Sequence, residues 1–326
     1  MRYIAINEQN LLSIGNIDKP VIGVDECLIK VRAIGVNRAD ILQKQGHYPP
    51  PPGESNILGI EACGNIAVIG GKDENWQVGD KVFAIVPGGA YAEYVKVKTA
   101  HLFALPKNLT YVQGAAIAEV FLTAYQCLFT IANLKRNAKI LIHAGASGVG
   151  TAAIQLAKYF DCHVSVTVGN DKKADTCKAL GADQAINYQN TDFVASAKQN
   201  KQNYDVIIDV VAGDYVNKNI SLCALDGHIV MLSMLGGRFA ENIDVAKMLA
   251  KRVTLHATTL RSRRDDYKTS LIQAFKRDFY QSLEQGLIKP VIYKQYPWRD
   301  VESAHQVMLN NENIGKITLT IDDNAH

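Results

Sequence analysis

The chain is short of the features that mark membrane, nucleic-acid or secreted proteins. No apolar run approaches the ~20 residues that span a bilayer, so no membrane association is expected. The opening stretch, Met1 to Glu8, has neither a long apolar core nor a small-residue cleavage site, so it reads as a first strand and a cytoplasmic location is expected. The net charge is only +3 over 326 residues, and no dense basic tract is present, which argues against a nucleic-acid partner. The six cysteines, Cys27, Cys63, Cys127, Cys162, Cys177 and Cys223, stand singly, and no two have CxxC spacing. They read as reduced, mostly buried thiols. The eight histidines include no HxxxH pair. Zinc needs three or four converging ligands, so no metal site is expected. Internal repeats and low-complexity tracts are missing too.

What remains is an ordinary globular composition, 48% hydrophobic, in a chain long enough for two domains. The first 120 or so residues carry short β-rich runs and frequent turns. Cys27–Ala33 and Ala90–Val97 alternate as strands do, and Val78–Val82 reads as a turn leading into a strand. The run Pro49 to Pro52 is an extended loop, since proline suits neither helix nor central strand. This half predicts an antiparallel, barrel-like unit. From about residue 115 the rhythm changes. Ala115–Ala132 has helical spacing, and a strand, Lys139–Ala144, enters a glycine-rich loop. A helix over Thr151–Phe160 follows, then a strand His163–Val168 and a helix Lys172–Leu180, with buried-type strands at Asp205–Val211 and His228–Leu232. Alternating helices and continuously apolar strands predict a parallel sheet covered on both faces. An amphipathic helix over residues 265–285 and a strand Gly315–Ile321 close the chain, which suggests a return to the first domain.

The loop Ala144-Gly145-Ala146-Ser147-Gly148-Val149-Gly150 lies between a buried strand and a helix. Glycines let the backbone turn and let a pyrophosphate approach, and the helix N-terminus favours its charge. The alternative is a tight turn without a ligand. NAD enzymes usually place Asp or Glu at the tip of the next strand to hold the adenosine ribose. Here that strand ends Thr167-Val168-Gly169-Asn170, followed by Asp171, Lys172 and Lys173. Lysines at a helix N-terminus oppose the dipole unless an anion offsets them, and a 2′-phosphate is such an anion. The expected cofactor is therefore NADPH, with Asp171 the discordant residue.

The segments His143–Thr151, Val36-Asn37-Arg38-Ala39-Asp40, Asn56–Glu61, Gln45–Gly53, Leu260-Arg261-Ser262-Arg263 and Asn313-Ile314-Gly315-Lys316 together resemble the zinc-free, zeta-crystallin-like quinone oxidoreductases of the medium-chain dehydrogenase/reductase superfamily. The resemblance runs essentially end to end. Zinc-bearing relatives carry Cys where this chain has Asn37, and Gly-His-Glu where it has Gly59-Ile60-Glu61. The implied fold is α/β: a GroES-like β-barrel catalytic domain (1–120 plus 265–326) and a Rossmann doubly wound parallel-sheet nucleotide-binding domain (121–264). The resemblance implies that Ala146, Ser147, Gly148 and Val149 hold the pyrophosphate. It sets Asn170 and Lys173 at the 2′-phosphate, with Tyr188 packed near that end and Gly169 among the cofactor contacts. Thr123, the loop Met234-Leu235-Gly236, Leu260, Ser262 and Asn313 complete the implied cofactor contacts.

Tyr48 is the implied hydrogen-bond donor to the substrate, and Asn37 is a second catalytic candidate; both also count among the cofactor contacts. Each has a plainer alternative. Asn37 precedes a short helix as an N-cap would, with Asp40 in its first turn. Tyr188 can be a buried ring, and Asn313 a turn residue. Arg261, Arg263 and Arg264 are either a solvated loop or a collar around an anion. The expected activity is metal-free hydride transfer from NADPH to quinones. The alternatives are an enal or enone double-bond reductase, and a crystallin-like or RNA-binding protein that holds NADPH without catalysis. The resemblance also implies a homodimer, or dimer of dimers, built on an edge strand; Arg252–Thr258 is the candidate.

Overall fold

The computed structural model describes residues 1–322. Contacts divide the chain into two compact units, Met1–Leu122 with Leu260 onward, and Thr123–Thr259.

The second unit carries six strands: β1 (Lys139–Ile142), β2 (His163–Val168), β3 (Gln184–Asn187), β4 (Tyr204–Asp209), β5 (Cys223–Met231) and β6 (Thr254–Ala257). All pair in parallel in the spatial order 3-2-1-4-5-6, the order of a dinucleotide-binding sheet. The order reverses at β1, so the strand that leads into the glycine loop sits at the switch point, where ligands of open α/β sheets bind. Helix α1 (Gly148–Tyr159) leaves the loop, and α2 (Asp171–Ala179) follows β2. The apolar interior includes Leu141, Ile207, Ile220 and Ile229. The Arg252–Thr258 candidate is an edge strand, seated beside β5 alone.

In the first unit an eleven-residue strand, Glu26–Val36, organises the sheet. Along one side it pairs antiparallel with Glu61–Ile69. Along the other it pairs with Tyr94–Lys98 at its start and with Lys316–Thr320 at its end. Register shifts near Leu28 and Ala33 bend the strand, as bulges do, and let it serve both partners. The returning C-terminal strand is thus seated directly beside Asn37. The sheet is antiparallel except where Ile292–Pro297 joins Lys316–Thr320. The last long helix of the chain, α3 (Asp265–Glu284), belongs to this unit.

Four sequence expectations need correction. The strand expected over 90–97 covers only Tyr94–Lys98; the Ala90 and Tyr91 N–H groups instead donate to Gly59 and Leu58 carbonyls. The helix expected over 115–132 is interrupted: Tyr111–Gly114 and Ala118–Tyr125 are α-helical, and Gln126–Ile131 widens into a π-turn. Together these form a stretch, Tyr111–Ile131, that is long and apolar enough to cross a membrane by length and composition, contrary to the expectation that none exists. Its most apolar window is 78% buried within the protein, as befits a core helix. Finally, the tight turn before α1 is not made by glycine. Ala144 takes the left-handed conformation, φ 54°, whereas Gly145 and Gly150 are there for space. A Cβ on Gly145 would meet the Val166 side chain at 2.5 Å, and one on Gly150 would meet the carbonyl oxygens of Ala144 and Gly145 at 2.5 Å.

Candidate active site

The loop before α1 is a cradle of the kind phosphates use. Ser147 caps the helix, its Oγ accepting from Gly150 N–H at 3.0 Å. Its own hydroxyl proton remains available for an anion. The N–H groups of Gly148 and Val149 lie in the first turn, where no intrahelical acceptor exists. Gly145 N–H donates to the Thr167 carbonyl at 3.0 Å, which ties the loop to the end of β2. At that end Asn170 caps α2, its Oδ1 accepting from Lys173 N–H at 2.9 Å. Asp171 is turned aside, its carboxylate accepting from the Asn187 amide at 2.8 Å. A Cβ on Gly169 would meet the Tyr188 hydroxyl at 2.8 Å, so this glycine makes room for that ring, which is half exposed rather than buried. Met234 and Leu235 are exposed, and the loop they open is held to the segment just after β4 by Leu235 and Gly236 N–H groups donating to the Val210 and Val211 carbonyls. Thr123 is buried.

Sequence reading missed what braces this end of the sheet. His143, at the tip of β1, has Nδ1 3.0 Å from Thr167 Oγ1 and Nε2 2.8 Å from Asn219 Oδ1; the Asn219 amide donates in turn to Asp209 Oδ2 at 2.9 Å. Asp209 Oδ1 accepts from Val211 and Ala212 N–H. The Asn219 oxygen requires a proton on Nε2, so Nδ1 accepts from Thr167. Burial holds the His143 pKa below its ordinary value, which keeps the ring neutral. The chain links β2, β1 and β4 at their carboxyl ends. Its one sequence signal is an acid, Asp209, ending an apolar strand.

In the first unit, Asn37 and Glu61 meet Lys316. Lys316 Nζ donates to the Val36 carbonyl (2.7 Å), Asn37 Oδ1 (2.6 Å) and Glu61 Oε1 (2.7 Å). The Asn37 amide donates to Gly35 O and Glu61 Oε1, and Glu119 N–H donates to Glu61 Oε2. All three side chains are buried. Asn37 does stand at the N-cap of the helix Arg38–Lys44, but the capping contact comes from Asp40, whose Oδ2 accepts from Asn37 N–H at 2.8 Å. The same Asp40 oxygen accepts from the Tyr91 hydroxyl at 3.1 Å, and that hydroxyl lies 3.0 Å from His305 Nε2. Burial raises Asp40 to about 6 and lowers His305 to about 4.

Tyr48 is half-buried, with the Arg261 guanidinium 5.6 Å over its ring. Arg261 is buried, donating to Pro87 O (2.6 Å), Gln43 Oε1 (2.7 Å) and Tyr48 O (3.4 Å). Its neighbours differ: Leu260 is buried and Ser262 exposed, and Arg264 is solvated beside Asp266. The Asn313 amide donates to the Gly315 carbonyl at 2.8 Å. Among the described residues no cluster of three His, Cys, Asp or Glu side chains suits a metal ion.

A cradle at the switch point of a parallel 3-2-1-4-5-6 sheet, joined to a GroES-like unit, defines an oxidoreductase that works with a nicotinamide cofactor. The chain belongs to the medium-chain dehydrogenase/reductase superfamily: residues 23–107 match the alcohol dehydrogenase GroES-like domain and residues 148–277 match the zinc-binding dehydrogenase domain. It is 29% identical over 301 residues to quinone oxidoreductase of Pongo abelii, covering 91% of this chain and 89% of that protein. To the synaptic vesicle membrane protein VAT-1 homolog of Danio rerio it is 28% identical, covering 93% of this chain and 66% of that longer protein. Among solved structures, an NAD-dependent alcohol dehydrogenase superposes with a TM-score of 0.86 at 25% identity, covering 99% of this chain and 100% of that one. The JamJ enoyl reductase superposes with a TM-score of 0.84 at 25% identity, covering 95% of each chain.

Proposed function

We propose that this protein reduces quinones with NADPH and without a metal. One observation carries the reading: at the positions where zinc-bearing relatives hold ligands, this chain has Asn37 and Ile60, and Asn37 is bound into a buried cluster with the Lys316 ammonium. Neither side chain is a zinc donor, and a fixed cation already occupies the acceptors there. A quinone suits such a site, because it accepts a hydride without prior polarisation by a Lewis acid.

When bound, NADPH supplies the hydride, and the chemistry of that transfer is the cofactor's. Support comes from the helix N-terminus, which offers N–H donors, and from Gly145 and Gly150, where a Cβ would clash with Val166 and with the loop's own carbonyls, so the tight loop ahead of those donors is kept. Ala146, Ser147, Gly148 and Val149 are assigned to the pyrophosphate, and Asn170 and Lys173 to the 2′-phosphate, beside Gly169 and Tyr188. Thr123, Met234, Leu235, Gly236, Leu260, Ser262 and Asn313 are assigned to the remainder. Tyr48 donates a hydrogen bond to the quinone oxygen on which negative charge develops. Asn37 acts through Lys316 and Glu61 as a positioning residue, since both its amide protons are engaged. Hydride plus one proton, taken from Tyr48 or water, turns quinone into hydroquinone.

The JamJ likeness favours a second reading, reduction of an activated carbon–carbon double bond. NADPH oxidation with 1,2-naphthoquinone against a 2-alkenal ranks the two. Quinone turnover at least tenfold more efficient supports the first reading, and the reverse ranking replaces it with the second. The exposed edge strand β6 is proposed as the dimer contact, since an unpaired edge is otherwise a liability; a monomer in gel filtration contradicts that.

A further inference from the structure

Helix α3 begins without a cap. Its N-cap residue is Arg264, which carries no oxygen to accept from the first-turn N–H groups. A cavity of about 430 Å³ opens at this end, and Arg261, Arg263, Lys268 and Glu54 are among its walls. Lys268 is 94% buried by its 6% exposure, and its ammonium has no hydrogen bond or ion pair among the described residues. A buried cation without a directly bound carboxylate is costly, and burial holds its pKa below the ordinary lysine value. Arg261 shares the cavity and is also buried. Its three protein acceptors, Pro87 O, Gln43 Oε1 and Tyr48 O, are all neutral, and Asp40, Glu119 and Glu54 act on its charge without a hydrogen bond to it.

The nearby acids Asp265, Glu54 and Glu119 favour the charge on Lys268 from a distance, without a hydrogen bond to it. Asp265 lies 3.6 Å from Lys98, and Asp266 lies 3.5 Å from Arg264 while its Oδ1 accepts from the first-turn Tyr267 N–H at 2.8 Å. The cavity therefore joins two buried cations that have no directly bound carboxylate to the N-terminal end of a twenty-residue helix.

We infer that this cavity is an anion subsite, in which Lys268, Arg261 and the N-terminus of α3 hold a phosphate, sulfonate or carboxylate group carried by the molecule to be reduced. A charge-assisted hydrogen bond to each donor is the physical basis. Arg261 stacks on Tyr48, so the anionic group is held one side chain from the proposed donor to the substrate. The substrate assignment rests on the reductase reading; the existence of the anion site does not.

Two readouts keep these apart. Inorganic pyrophosphate is titrated by calorimetry into protein saturated with NADPH, using wild type, Lys268→Met and Lys268→Arg. The expected result is binding to wild type, weakened about tenfold in Lys268→Met and recovered in Lys268→Arg, with NADPH affinity equal in all three. Absent binding to wild type, or equal binding by Lys268→Met, overturns the site. In the second readout, kcat/KM is compared for 1,2-naphthoquinone-4-sulfonate and 1,2-naphthoquinone. About a tenfold preference for the sulfonate in wild type, falling to near one in Lys268→Met, supports the substrate assignment. An unchanged ratio in the variant overturns it. If neither quinone is reduced while pyrophosphate binding still depends on Lys268, the anion site stands and the quinone reading falls.

Discussion

Lys316 Nζ lies 2.7 Å from Glu61 Oε1, and both side chains are at most 4% exposed. Strand pairing sets this contact: the C-terminal strand lies against Glu26–Val36, whose other neighbour carries Glu61. Three acceptors surround the ammonium, and the carboxylate accepts from Lys316, Asn37 and Glu119. The cluster is thus closed. Removing one partner strands the other charge in the interior.

Lys316→Met is therefore expected to lower stability by about 3–5 kcal/mol, read from the urea midpoint. The double variant Glu61→Gln with Lys316→Met should recover part of that loss, because no bare charge is left. A single-variant loss below about 1 kcal/mol, the range of an exposed pair, contradicts the buried-cluster account.

Asp40 and His305 make opposing contributions to stability against pH. Asp40 titrates near 6 in the folded protein, above its ordinary 3.8. Between those values the native state holds the extra proton, so this group's contribution is full below pH 3.8 and is lost as pH rises towards 6. His305 titrates near 4, below its ordinary 6.5. The unfolded state then holds the extra proton, and this contribution grows as pH rises from 4 to 6.5. Each is worth about 3 kcal/mol at most, so they largely cancel in the wild type. Asp40→Asn should leave a stability that climbs from pH 4 to 6.5, and His305→Gln one that falls. Denaturant melts across that range check both slopes; two flat variants would refute the opposing shifts.

Lys173 has the most specific expected effect on cofactor choice. Burial lowers its pKa, so it stands partly withdrawn from water beside the Asn170 cap. Lys173→Ala should reduce kcat/KM for NADPH about tenfold and leave that for NADH nearly unchanged. Equal losses with both cofactors would show a structural role rather than contact with the 2′-phosphate.

Much of the nucleotide-binding sheet was legible because most of its strands are mainly apolar and alternate with helical segments. β2 begins and ends where the pattern puts it, and in the first unit α3 matches within one residue. The strand of residues 184–187 and the helices Phe193–Gln199, Tyr215–Leu222 and Val301–Leu309 went unread, since a run of four to nine residues leaves a pattern little length in which to repeat. Gly150 was legible as a loop residue, but its reason, a carbonyl contact at 2.5 Å, is tertiary. Lys316 was visible only as part of a family-like segment. That it would meet Asn37 and Glu61 depends on pairing between strands some 280 residues apart, which no local pattern encodes. Lys268 was hidden for a similar reason: on the helix it looks like any polar residue, and only burial makes its charge conspicuous.

The central claim is metal-free reduction of quinones by NADPH. The most direct measurement is the rate of NADPH oxidation with 1,2-naphthoquinone by protein treated with a strong chelator and shown free of zinc by elemental analysis. The account predicts the full untreated rate, with NADH clearly less efficient. A rate that falls with metal content and returns on adding zinc, or no turnover before and after treatment, would contradict it.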